Sequence, residues 1–134
     1  MTKTPRINGR KCRPYVQERK AFQNSNGQLY AKWETPDLYV VYSYGEHWPL
    51  FMWAGRTETW YQNADKFSPT TSRHRTYAHP HEETELASCY NMKQIIDAYR
   101  SAYRHEMLAV RQEALALRQA AALHDVQSRL GLAA

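Results

Sequence analysis

From Met92 to Leu130 the sequence contains neither proline nor glycine and is built mainly of Ala, Leu, Arg, Gln and Glu, residues that lose little conformational freedom on entering a helix. One helix over the whole stretch is expected, with Asn91 as N-cap, Gln94 three residues on in a variant of the capping box, and Gly131 as the C-terminal stop. At 1.5 Å per residue, about 39 residues reach ~58 Å. A domain of about 100 to 200 residues is narrower than that, so part of the helix is expected to find another partner.

Helical periodicity sorts the residues of this segment into faces. With successive residues about 100° apart, the basic residues Lys93, Arg100, Arg104, Arg111, Arg118 and Arg129 fall in one narrow row. Ile96, Tyr99, Tyr103, Met107, Val110, Ala114, Leu117 and Ala121 form an apolar seam about 80° to one side, and Glu106 and Glu113 lie beyond it. Leu108, Leu115 and Val126 line the other flank of the row. Two readings stand side by side. The seam packs first on the rest of the chain and then on a second copy, with the arginines solvated; or the arginines form a ridge that tracks a nucleic-acid backbone through phosphate contacts.

The remaining sequence is of another kind. Of 17 aromatic residues, 13 lie between Tyr15 and Phe67, which favours pleated, half-buried surface. Leu38–Tyr44 alternates on two apolar faces like a central strand, and Pro49–Ala54 is a second strand after a turn at Gly45–Trp48. Leu29–Glu34 and Thr57–Gln62 flank them, and Tyr15–Phe22 is expected as a fifth, more polar edge strand. Residues 68–83, with two prolines and many hydroxyls, read as an ordered loop. The expected fold class is therefore α+β: a four- or five-stranded antiparallel β-meander followed by a long C-terminal α-helix. The domain reading is a basic N-terminal arm at 1–13, disordered over its first eleven residues, a meander domain with its ordered loop at 14–91, and the helix at 92–131, with a homodimer through that helix as one possible assembly.

Charge follows this division. The net charge is +5 and the sequence pI about 9.3, but residues 1–27 hold seven Lys or Arg against Glu18 alone, whereas residues 28–91 are slightly acidic. Arg6, Arg10, Lys11 and Arg13 at the start, Arg73 and Arg75 in the hydroxyl-rich run Ser68-Pro-Thr-Thr-Ser-Arg-His-Arg75, and the helix row make an electrostatic footprint suited to an anionic partner. The plain alternative for the run is that its hydroxyls satisfy backbone groups. No stretch approaches the ~20 apolar residues of a membrane span, and the polar start reads as lacking a signal peptide. A cytoplasmic protein with no membrane partner is expected, its two cysteines, Cys12 and Cys89, reduced.

Signals for chemistry are weak. His74, His79 and His81 precede Glu82, Glu83 and Cys89, but the spacing matches no usual zinc site. Ser43, Ser72 and Cys89 have histidines elsewhere and no nucleophile elbow. Glu46-His47 is a candidate acid/base pair or simply part of a turn beside Trp48. The four tryptophans read mostly as core. The reading is thus no catalytic residue, no metal and no cofactor, with a small metal-dependent or hydrolytic enzyme centred on the three histidines as the remaining alternative.

Tyr39-Val-Val-Tyr-Ser-Tyr-Gly-Glu-His-Trp-Pro-Leu-Phe51, Trp60-Tyr-Gln-Asn-Ala-Asp-Lys-Phe-Ser-Pro-Thr-Thr-Ser-Arg-His-Arg75 and His79-Pro80 resemble a widespread set of small bacteriophage-encoded proteins of unknown function. The resemblance covers roughly residues 10 to 82 and does not extend to the long helix. It implies a phage accessory protein in the cytoplasm of a bacterial host, of the kind that binds host machinery or counters host defence, CRISPR complexes included. The resemblance implies no catalytic residue. The partner expected from charge and resemblance together is nucleic acid or a host nucleoprotein complex, contacted by Lys93, Arg100, Arg104, Arg111 and Arg118 with Arg10, Lys11, Arg13, Arg73 and Arg75.

Overall fold

A computed structural model describes residues 4–66 and 68–131; the expectations for the first three residues of the arm and for Phe67 lie outside the described residues. Two compact units are present, one ending at Arg100 and one beginning at Ser101. The elements run β1 (Arg6–Ile7), a 3-10 turn (Gly9–Lys11), α1 (Arg13–Gln17), β2 (Phe22–Asn24), β3 (Leu29–Thr35), β4 (Leu38–Ser43), β5 (Pro49–Ala54), β6 (Thr59–Asn63), α2 (Pro69–Ala78), β7 (Thr84–Ala87) and α3 (Cys89–Arg129).

The class α+β is correct, but the sheet has seven strands in sequential order rather than four or five. The stretch β2 to β6 is the antiparallel meander, and each edge is closed by a parallel strand, β1 on β2 and β7 on β6. The sheet is therefore mixed. Parallel neighbours need a crossover connection; the 3-10 turn and α1 serve that purpose at one edge and α2 at the other.

Four expectations are corrected here. Residues 4–13 are not a disordered arm, because β1 is paired to Gln23 and Asn24 and the 3-10 turn is capped by the side chain of Asn8. Tyr15–Phe22 is not a strand: Pro14 stands in the first turn of α1, Cys12 and Val16 bury one helical face, and the chain reverses at Arg19, whose φ is +53°, before β2 begins at Phe22. The expected loop at 68–83 holds α2, with Ser68 as N-cap accepting from Thr71 N and Pro69 at the first helical position. Its buried positions Thr71, His74 and Ala78 follow a 3-4 spacing, but two of the three are polar, which hid the period. Finally, α3 starts at Cys89 and not after Asn91. Ser88 Oγ accepts from Asn91 N at 3.1 Å and the Asp65 carboxylate from Cys89 N at 3.0 Å. Gly131 ends the helix as expected, with φ +72°.

Every residue of β4 is buried, and its alternation divides the core. Tyr39 and Val41 join Phe22, Leu29, Phe51 and Trp60 under α1 and α2, where Val16 and Ala78 complete the cluster. Leu38, Val40 and Tyr42 join Met52 and Ala54 on the other face, against Met92 and Ile96 of α3. Trp60 is buried, whereas Trp33 is 42 % exposed and donates from Nε1 to the carbonyl of Arg19. Both cysteines are free and buried, and burial pushes the Cys12 thiol up to about 12.

Candidate functional site

Two segments about thirty residues apart in sequence, the end of β4 and the start of α2, meet in space. Ser43, the last residue of β4, lies with its Oγ 2.8 Å from Nδ1 of His74 and 3.2 Å from Oγ1 of Thr71, and Ser68 Oγ donates to the same Thr71 hydroxyl. Tyr44, at φ +64°, stacks obliquely on His74, its ring centroid 5.7 Å away. Beside them His47, Trp48, Lys66 and Ser68 help line a cavity of about 270 Å³. A Ser–His contact of this length is the geometry of an activated nucleophile. Ser43, however, is completely buried, and among the described residues no carboxylate is hydrogen-bonded to His74 to orient it. The arrangement satisfies buried polar groups and clasps β4 to α2. Glu46 pairs with Lys32, and the backbone carbonyl of His47 accepts from the Cys89 thiol. Among the described residues no group of three His, Cys, Asp or Glu side chains is placed to hold a metal.

A second convergence involves the basic residues. Arg10 and Lys11 on the 3-10 turn and Arg13 on α1 belong to elements that pack against α2, which carries Arg73 and Arg75. Neither Gly9–Gln17 nor Pro69–Ala78 contains an acidic residue. Arg13 donates from Nε to the His79 carbonyl at 2.7 Å and from Nη2 to the Thr76 carbonyl at 2.6 Å, and Gln17 donates to the Pro80 carbonyl. Arg13 thus satisfies backbone carbonyls at the C-terminal end of α2, where a cation is favoured. Beside it opens a cleft of about 350 Å³ lined by Arg13, Gln62, Arg75, Thr76, His79 and His81. None of these six lining residues is acidic. Partial burial lowers the His79 pKa, and His81, Arg13 and Arg75 lower it further; burial and then Arg73 lower that of His74.

The expected helix row is divided. Arg100 is held by Glu34, which accepts from its Nε at 3.1 Å and its Nη2 at 2.7 Å, so this guanidinium fastens α3 to β3. Lys93 borders a small cavity with Glu46, Asp97 and Arg100. Arg104, Arg111 and Arg118 are exposed, and Arg129 pairs with Asp125 at 3.1 Å. The part of the site that the sequence did not reveal is the cleft, because Arg13 and the segment from Arg75 to His81, some sixty residues apart, meet only where α1 packs on α2. One local signal was available: Ser68-Pro69 is an N-cap followed by a first-turn proline.

The histidines set a pH dependence. Both His74 and His79 have folded pKa values below the ordinary 6.5, so below that value the unfolded chain takes up protons that the folded chain refuses. Stability is complete above the unfolded pKa and falls as pH drops through this window. The urea midpoint is expected to fall between about pH 7.5 and 5.5, and the double variant His74→Gln, His79→Gln to flatten that slope. An equally steep slope in the variant would show that other groups are responsible. Searches with protein-family models, curated protein sequences and solved structures return no match to this chain.

Proposed function

We propose that this chain is a non-enzymatic binding protein that engages nucleic acid, alone or within a nucleoprotein complex, through the surface formed by the 3-10 turn, α1 and α2. One observation carries the reading: Arg10, Lys11, Arg13, Arg73 and Arg75 come from segments some sixty residues apart onto packed elements that contain no carboxylate. Cations gathered in this way suit phosphate oxygens, and released counterions favour the contact. Arg104 on α3 is a further candidate contact for the same class of partner. The resemblance to phage accessory proteins supports a host nucleoprotein complex of the bacterial cytoplasm, CRISPR complexes among them, as the partner.

The test is fluorescence anisotropy with labelled single-stranded and duplex oligonucleotides over a salt series. Binding is expected to weaken linearly in log salt, by roughly 0.7 to 0.9 per phosphate contacted. The triple variant Lys11→Glu, Arg73→Glu, Arg75→Glu is expected to weaken it by about 100-fold or more, with circular dichroism unchanged. Wild-type affinity in that variant would overturn the reading. Capture from cell lysate with and without nuclease separates a direct nucleic-acid contact from a protein one.

A further inference from the structure

From Arg104 to Gly131 every described residue except Ala114 is exposed, yet this part of α3 is far from uniformly polar. Met107, Val110 and Leu117 are 37 %, 56 % and 66 % exposed, and with Ala114 and Ala121 they repeat at 3-4-3-4 spacing. That is the seam of a coiled coil, with Met107, Ala114 and Ala121 at a and Val110 and Leu117 at d. The seam is a separate feature from the sheet-packed start of the helix. Tyr99, which packs with the second core cluster and lies under the Arg56 guanidinium, is two four-residue steps before Met107, out of register with the repeat.

Charge on the two edges of the seam identifies the partner and its direction. Glu106 and Glu113 precede the a positions Met107 and Ala114, the uncharged Ala120 precedes Ala121, and Arg111 and Arg118 follow the d positions Val110 and Leu117. These are the g and e positions. In a parallel pair each g residue faces the e residue five places further along the other helix, so Glu106 meets Arg111 and Glu113 meets Arg118. In an antiparallel pair g faces g and e faces e, which sets Glu against Glu and Arg against Arg. The small Ala114 and Ala121 at a allow close approach.

We propose that the occupant of this face is a second copy of the same chain, in a parallel, in-register two-stranded coiled coil through Met107, Val110, Ala114, Leu117 and Ala121. The seam covers about two heptads and ends where His124 and Ser128 take the next d and a positions, so the pair dissociates on dilution. The inference does not rest on nucleic-acid binding and is read without nucleic acid.

Sedimentation equilibrium of the full chain over a wide concentration range is expected to show a monomer–dimer equilibrium. The variants Glu106→Arg, Glu113→Arg and, separately, Arg111→Glu, Arg118→Glu place like charges across the seam. Each alone is expected to lose self-association by tenfold or more, while an equimolar mixture forms a one-to-one heterodimer. Ala121→Cys, at the last a position of the seam, is expected to cross-link to itself on oxidation, whereas an antiparallel pair holds the two copies of this position at opposite ends of the seam. A monomeric wild type, a trimer or larger assembly burying Leu108 and Leu115, self-association unchanged in the charge variants, or no cross-link at position 121 would each overturn the proposal.

Discussion

Replacing Glu34 by alanine is expected to destabilise the protein by about 3 kcal/mol, the low end of what removal of one member of a buried ionic cluster costs. The carboxylate side chain is only 7 % exposed. It accepts from the Tyr42 hydroxyl at 2.7 Å and from two nitrogens of Arg100, with Lys32 Nζ at 3.4 Å. Burial alone would raise its pKa, but the hydrogen bonds from Tyr42 and Arg100 and the charge of Lys32 outweigh it and hold the carboxyl below the ordinary value of 4.5. Removing it strands the phenol of a fully buried tyrosine, while the 37 % exposed Arg100 side chain recovers part of its hydration. Hence the low end of the range. Urea unfolding followed by tryptophan fluorescence measures the loss. In a double-mutant cycle, Glu34→Ala and Arg100→Ala are expected to couple by about 1 to 3 kcal/mol; additive effects would show that α3 is not tied to β3 through this pair. Because the folded pKa is lowered, the stabilisation is present above the unfolded value and disappears as pH falls below about 4.5.

Tyr39→Ala is expected to cost about 3 to 5 kcal/mol through lost burial and an unfilled cavity. Tyr39, the second residue of β4, is fully buried; its ring meets Trp60 edge-on at 6.2 Å and Trp33 at 5.4 Å, and its hydroxyl donates to the Lys20 carbonyl at 2.7 Å. Tyr39→Phe keeps the ring and removes only that hydrogen bond, so about 1 kcal/mol is expected. The difference between the two variants separates ring packing from the bond that holds the turn after α1 to the sheet. Equal losses would place the whole effect in the hydroxyl.

Both variants act on β4, the element most plainly readable in the sequence. Its residues alternate between two apolar faces, and the structure assigns Tyr39 and Val41 to one cluster and Leu38, Val40 and Tyr42 to the other. The elements that escaped notice are short, polar, or both. β1 has two residues and β7 four with half-exposed character, too few for a period to show. α1 and α2 are helical because proline at their starts, an N-cap at Ser68 and the burial of Val16, Thr71, His74 and Ala78 outweigh a weak intrinsic signal.

What the sequence alone determined is what repeats along the chain: the central strands at period two, the long helix at 3.6, and on that helix the seam with glutamates on one edge and arginines on the other. Only the tertiary structure decided what meets across the chain. It closed the meander with two parallel edge strands, took Arg100 from the basic row and gave it to Glu34, joined Ser43 to His74, and drew Arg13 and Arg75 to one cleft with His79 and His81. The physical reason is that periodicity records which side of an element is apolar, whereas the partner of that side is chosen by packing and hydrogen bonding between residues far apart in the chain.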